Sequence, residues 1–175
     1  MSSIRAVVVL VALMALAPAP ARASEAVLYV GDSLGVGTVP NLERSMAVES
    51  DTRVGRASGE GLAVLRTRLR RGHEIVVFDM GTNDVSPDLV GRHLRRARAL
   101  SGERLMIVFT LNKPNARPFN RVIRSFARSS DNVGLIDWHA AAVREHLLGA
   151  DGIHASPWGY RRRAALVLPL MEAVK

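Results

Sequence analysis

The sequence predicts an α/β domain built on a parallel sheet with helices on both faces. Short runs of near-continuous apolar residues alternate with segments of helical periodicity, the pattern of strands buried on both sides by crossover helices. The length of 175 residues suits one domain around one sheet. Residue types able to do chemistry stand directly after the apolar runs, where the sites of open parallel sheets form, at the carboxyl ends of the strands.

The elements follow in order. AVLYV (26–30), EIVVFDM (74–80), RLMIVFT (104–110) and NVGLID (132–137) read as buried strands, and a weaker strand is expected around Ala47 to Val54. Helical patterns occupy GLAVLRTRLRR (61–71), PDLVGRHLRRARAL (87–100), a segment near Ala116 to Ser129, and HAAAVREHLL (139–148). Pro87 suits a first-turn position with Ser86 as the cap. A last helix is expected from Pro157 to Val174, interrupted or kinked near Pro169.

Residues 1–23, MSSIRAVVVLVALMALAPAPARA, have the layout of a secretory signal peptide. Arg5 is the positive start, Ala6 to Ala17 the apolar run, and Ala21-Arg22-Ala23 the small-residue cleavage site. The run is shorter than the roughly 20 apolar residues a membrane span takes. The expected organisation is therefore a signal peptide over 1–23, cleaved near Ala23, and a single secreted domain over 24–175. There is no cysteine, which excludes disulfides, thiol catalysis and a lipid anchor on cysteine.

The formal net charge is +8, or about +6 once residues 1–23 and their two arginines are removed. Lys113 and Lys175 are the only lysines, and arginines cluster at Arg92, Arg95, Arg96 and Arg98 and again at Arg161, Arg162 and Arg163. Solvated helix faces are the preferred reading, ahead of attraction to anionic polymer or lipid heads. No aromatic residues are interleaved for base stacking, so nucleic acid is not expected as a partner.

GDSLGVG (31–37) follows the first strand. A phosphate cradle is excluded: the lysine and hydroxyl residue of a P-loop are absent, the glycines lack G-x-G-x-x-G spacing, and Asp32 would repel the anion. The alternative is a nucleophile turn presenting Ser33. A serine hydroxyl needs a base and a group that orients the base. Asp151-Gly152-Ile153-His154 offers both, since an aspartate three residues before a histidine can meet imidazole Nδ1 and leave Nε2 for the serine. Oxyanion donors are available from the backbone N–H groups of Ser33 and Gly55 and from the Asn83 amide, each after an expected strand. Gly31 permits a tight exit from the strand, and Gly35 and Gly37 are expected to leave room for substrate. Asp32 is expected to fix the turn through backbone N–H groups, and Asp84 to support the Asn83 turn or cap the segment after it.

Gly31-Asp32-Ser33-Leu34, the glycine of VGRASGEGL, Gly81-Thr82-Asn83-Asp84 and Asp151-x-x-His154 resemble, in order and approximate spacing, the four blocks of the SGNH, or GDSL, hydrolases. The resemblance runs from about Val27 to about Leu170. It implies a three-layer α/β/α sandwich with a five-stranded parallel sheet, the flavodoxin-like SGNH hydrolase fold. It also implies Ser33 as nucleophile, His154 as general base and then acid, and Asp151 as the orienting carboxylate. Ser33 N–H, Gly55 N–H and the Asn83 side chain would form the oxyanion hole, and no metal or organic cofactor is implied. Gly55 is chosen because it precedes the Gly61-Leu62 helix opening as family members often show; Gly59 is the alternative.

The implied activity is hydrolysis of carboxylic esters through an acyl-enzyme. FTLNKPNARPFNRVIRSFA, VGR and LIDWHAAA are similar, more loosely, to the extracellular SGNH domains of cell-wall O-acetyltransferases. That points to short acyl groups, with acylated envelope glycan or lipid as substrate, and leaves transfer to an envelope glycan as the alternative to hydrolysis. Long-chain lipase, thioesterase and aryl-esterase activities stay open, as does a non-catalytic glycan-binding module. Asn112 and Lys113, just after the fourth strand, and Trp158, near His154, are candidate substrate contacts. His73, His93, His139 and His146 are read as structural or solvated, and Met80, Met106 and Trp138 as core.

Overall fold

A computed structural model of the protein describes residues 26–172. The proposed signal peptide and cleavage site lie outside the described residues. Five strands, β1 (Val27–Gly31), β2 (Glu49–Thr52), β3 (Ile75–Asp79), β4 (Leu105–Phe109) and β5 (Val133–Ile136), form one fully parallel sheet in the order β2-β1-β3-β4-β5. The chain leaves β1 toward one edge and returns at β3 toward the other. The switch point therefore falls between β1 and β3, where such sheets open a crevice outside the strand ends.

Six helices cover the sheet: α1 (Ser33–Leu42), α2 (Ser58–Arg68), α3 (Pro87–Ser101), α4 (Ala116–Arg128), α5 (Trp138–Arg144) and α6 (Pro157–Glu172). Side chains alternate along each strand, so every central strand feeds two cores. Val27, Tyr29, Ile75, Val77, Ile107 and Phe109 pack with α1, α5 and α6 on one face. Leu28, Val30, Val76, Phe78, Met106 and Val108 pack with α2, α3 and α4 on the other. This is the three-layer α/β/α sandwich expected. β2 is the weak strand because it is an edge with little buried surface.

The element boundaries agree with the sequence reading to within a few residues, with one omission. Helix α1 was not anticipated, because its two glycines, Gly35 and Gly37, and Pro40 read as turn residues. The helix forms because Asp32 caps it, Oδ1 accepting from Leu34 N–H at 2.9 Å, and because Leu34, Val39 and Leu42 are buried. Ser86 caps α3 with Pro87 in its first turn, as expected. Pro169 is accommodated inside α6, which continues to Glu172.

Gly35 and Gly37 do not face a substrate space. A Cβ on Gly35 would come within 2.9 Å of Thr52 Cγ2, and one on Gly37 would overlap the Tyr160 ring. Both glycines are small so that α1 can lie close to the sheet and to α6.

Candidate active site

β1 ends at Gly31 and α1 begins two residues later, so Ser33 is the first residue of a helix aimed at the carboxyl edge of the sheet. As a first-turn residue its backbone N–H has no intrahelical acceptor and lies at the positive end of the helix. Its Oγ lies 2.9 Å from His154 Nε2, across 121 residues of sequence. His154 Nδ1 lies 2.6 Å from Asp151 Oδ2. Asp151 Oδ1 also accepts from the backbone N–H groups of Ile153, at 2.9 Å, and His154, at 3.0 Å. The hydrogen bond from His154, followed by these two N–H groups, pulls the Asp151 carboxyl down to about 2. An ionised Asp151 only accepts, so the shared proton sits on His154 Nδ1 and leaves the Nε2 lone pair toward Ser33.

The loop carrying Asp151 and His154 is held from below. Asn112, after β4, donates from Nδ2 to the Gly152 carbonyl at 2.7 Å, and its Oδ1 meets His139 Nδ1 at 2.7 Å. Both ends of the amide are thus engaged within the protein, where the sequence pointed to a substrate contact. Lys113 Nζ donates to the Asp84 carbonyl at 2.6 Å and lies 4.3 Å from the Phe119 ring centroid. Trp158 is 60% exposed, with the Arg161 guanidinium 5.3 Å from its ring centroid.

The loops that carry the second and third blocks are tied to each other at the carboxyl edge of the sheet. Gly55, in the loop after β2, has φ +75°, a conformation that favours glycine, and the space where a Cβ would stand is open. Gly59 and Gly61 lie inside α2 and face His93 and Met80. Asn83 Nδ2 donates to the Arg56 carbonyl at 3.0 Å, leaving its second N–H available. Asp84 does not cap the segment that follows it. Its carboxylate accepts from Ser58 N–H at 2.9 Å and Ser58 Oγ–H at 2.6 Å, tying the start of α2 to the Asn83 loop. His93 Nδ1 completes this tie at 2.7 Å from Ser58 Oγ.

A buried charge pair underlies the turn. Asp79, at the end of β3, pairs in register with Gly31, and its carbonyl accepts from Asp32 N–H. Its carboxylate is held by Arg163 of α6 through Nη1 at 2.7 Å and Nη2 at 2.8 Å, and by Tyr29 Oη–H at 2.7 Å. Arg163 is fully buried, so the Arg161–Arg163 cluster is not one solvated face. The helical period turns Arg163 inward, while Arg162 pairs with Glu145 at the surface. Burial, the largest single influence, would lower the guanidinium's pKa, but the Asp79 charge and its hydrogen bonds together with the Tyr29 and Asp32 charges turn the net shift upward. Arg163 also donates to Thr38 Oγ1 at 3.2 Å, and Thr38 donates to the Leu34 carbonyl at 2.7 Å, which fixes the first turn of α1. Burial, and then the neighbouring Asp79 charge, push the Asp32 carboxyl up to about 6. Arg56, also missed from sequence, is buried with Nη1 on the Gly31 and Asp51 carbonyls and Nη2 on the Asp51 carboxylate. Nothing in the local pattern distinguishes these two arginines from the exposed ones.

Among the described residues, four of the five exposed large hydrophobics stand close in sequence to this site: Val36, Val54, Val85 and Trp158.

The fold is that of the SGNH/GDSL hydrolases. The C-terminal catalytic domain of peptidoglycan O-acetyltransferase A from Streptococcus pneumoniae, solved with a methylsulfonyl adduct, is similar with TM-score 0.74 and 14% identity, over 86% of this chain and 94% of that one. A GDSL-like lipase from Bacteroides thetaiotaomicron gives 0.71 and 18%, over 88% and 91%. A family 3 carbohydrate esterase from Clostridium thermocellum gives 0.66 and 13%, over 85% and 98%. In sequence, the chain is 26% identical over 159 residues to YrhL of Bacillus subtilis (strain 168), a proposed peptidoglycan O-acetyltransferase. The match covers 88% of this chain and about a quarter of the relative, 25% of its length. No family model matches the chain. The fold therefore has esterases and O-acetyltransferases as neighbours.

Proposed function

We propose that the protein is a secreted serine esterase that hydrolyses short-chain acyl, and in particular acetyl, esters. The observation that carries this is the line from Ser33 Oγ to His154 Nε2 at 2.9 Å and from His154 Nδ1 to Asp151 at 2.6 Å. Ser33 Oγ attacks the ester carbonyl and its proton passes to His154 Nε2. Asp151 holds the ring and stabilises the imidazolium that forms. The negative oxygen of the tetrahedral intermediate is taken by Ser33 N–H, Gly55 N–H and the Asn83 amide. His154 then protonates the leaving alkoxide, and the acyl group stays on Ser33. Water attacks the acyl-enzyme, gives its proton to His154, and the second collapse releases the acid and restores Ser33. Asn112 and Lys113 act by holding the Gly152 and Asp84 loops, and Trp158 lines the approach.

The expected organisation is a signal peptide over residues 1–23 and one catalytic domain after it, with acylated envelope glycan as the substrate class. A second reading, transfer of the acyl group to a glycan hydroxyl in place of water, is supported by the O-acetyltransferase relatives. A fluorophosphonate probe tests the mechanism: labelling at Ser33 is expected, and folded protein that does not label refutes it. Assay on acetylated wall glycan, with and without an alcohol acceptor, separates hydrolysis from transfer by the ratio of free acetate to acetylated acceptor.

A further inference from the structure

The net charge of the chain is +8. Helices α3 and α4 together hold eight arginines and one aspartate, so they carry seven of those charges. The rest of the chain holds 16 basic and 15 acidic residues and is close to neutral. The two helices lie side by side, since a Cβ on Gly91 would come within 2.9 Å of Val122 Cγ1. Both turn their apolar stripes inward, Val90 and Leu94 from α3, Phe119 and Ile123 from α4. Their arginines are thereby gathered on one outer surface. Arg124 pairs with Asp137, and Arg98 donates to the Asp131 and Gly102 carbonyls. Arg92, Arg95, Arg96, Arg117, Arg121 and Arg128 are exposed, with no acidic partner among the described residues.

Six unpaired like charges on one face repel one another, and an anionic ligand relieves that repulsion. The chemistry of the face narrows the ligand. Firm docking on a bilayer adds inserted apolar side chains to charge attraction, and none of the exposed large hydrophobics lies on α3 or α4. A single nucleic-acid strand is gripped by stacking on aromatic rings, and Phe119 and Phe126 of α4 are buried. Every cation on the two helices is arginine, whose planar fork takes two phosphate oxygens at once. Both helices also start at the carboxyl edge of the sheet, the edge where Ser33 and His154 meet.

We propose that the α3–α4 face is a docking surface for a linear, base-free chain of phosphate groups, which lies along the two helices with one end at the edge that holds Ser33. The inference does not depend on the esterase reading. It separates from the sequence expectation of merely solvated faces, because only the three-dimensional packing puts both sets of arginines on one surface.

The test is titration of the protein with inorganic polyphosphate across a salt series, followed by calorimetry. The variant Arg92→Gln/Arg95→Gln/Arg96→Gln is compared with a charge-matched control on the opposite layer, Arg44→Gln/Arg144→Gln/Arg161→Gln. The α3 variant is expected to bind about tenfold or more weakly at about 50 mM salt, and its slope of log affinity against log salt to fall by about two. The control should stay within about threefold of the parent protein. Arg117→Gln/Arg121→Gln, on the other helix, should weaken binding in the same direction and serves if the triple variant does not fold. Equal losses in the α3 variant and the control would overturn the proposal. Tighter binding to phosphatidylglycerol vesicles, to duplex DNA or to polyglutamate than to polyphosphate would overturn it as well.

Discussion

Arg163 and Asp79 meet through two hydrogen bonds, at 2.7 and 2.8 Å, in a space closed to solvent beneath the turn that carries Ser33. The pair joins α6 to the end of β3, and through Thr38 and Tyr29 it reaches α1 and β1. Removing one partner leaves a buried charge without compensation. Arg163→Met should lower the free energy of unfolding by about 3–5 kcal/mol. The double variant Arg163→Met/Asp79→Asn should recover part of that loss. Urea unfolding of the three proteins checks both statements, and a double variant as unstable as the single would show that lost packing, not the stranded charge, is responsible.

Asp32 gives a prediction with a defined pH window. Burial raises its folded pKa to about 6, above the 3.8 of an exposed aspartate, so between these values the folded state binds more protons than the unfolded one. Stability therefore falls as pH rises from about 4 to about 6, by about 3 kcal/mol in total. Asn at position 32 keeps the acceptor oxygen for Leu34 N–H and carries no charge. Asp32→Asn should flatten this descent and be more stable than the parent protein at pH 7, with little difference near pH 4. Chemical denaturation at pH 4, 5, 6 and 7 measures it.

Asn83 and Gly55 are predicted to act on the transition state. Asn83→Ala should lower kcat by about 10²–10³ with little change in KM. Replacing Gly55 by valine should also depress turnover, because φ +75° excludes a β-branched side chain. Gly59→Ala should have a smaller effect, since its Cβ would meet only the His93 ring edge at 3.2 Å. Steady-state kinetics on a small acetyl ester decides the order, and a larger loss at Gly59 would transfer the oxyanion role to it.

The Asp151 carboxyl, held at about 2, stays ionised across the working range. Acid loss of activity above about pH 4 is therefore not expected to come from Asp151. Asp151→Asn should lose activity at every pH without moving the melting temperature more than a few degrees, as its side chains and those of His154 are half-exposed.

Asn112 is predicted to position the His154 loop. Asn112→Ala frees the Gly152 carbonyl and should lower kcat about tenfold, the size expected when a catalytic group is slightly misplaced. KM should change less, whereas loss of a direct substrate contact would raise KM first.

Apolar periodicity legibly encoded the layers of this protein, because a strand buried on both faces can be written only as a run such as IVVFD. The position of Ser33, Gly55 and Asn83 after strands was legible for the same reason, since a parallel sheet delivers every strand end to one edge. Helix α1 was hidden because glycine is a poor helix former wherever it stands, while its reason for standing there, the Thr52 and Tyr160 contacts, lies in other elements.

The fold class, the order of the strands along the chain and the residues available for chemistry can be read from residue order alone. The packing of helices on the sheet settled which of the 20 arginines among the described residues are buried, that Arg163 answers Asp79 across 84 residues, and that eight of the others share one surface. The physical reason is range. Periodicity reports how much of a side chain is buried, averaged over neighbours in sequence, whereas a charge is satisfied by whichever group the fold brings within about 3 Å of it.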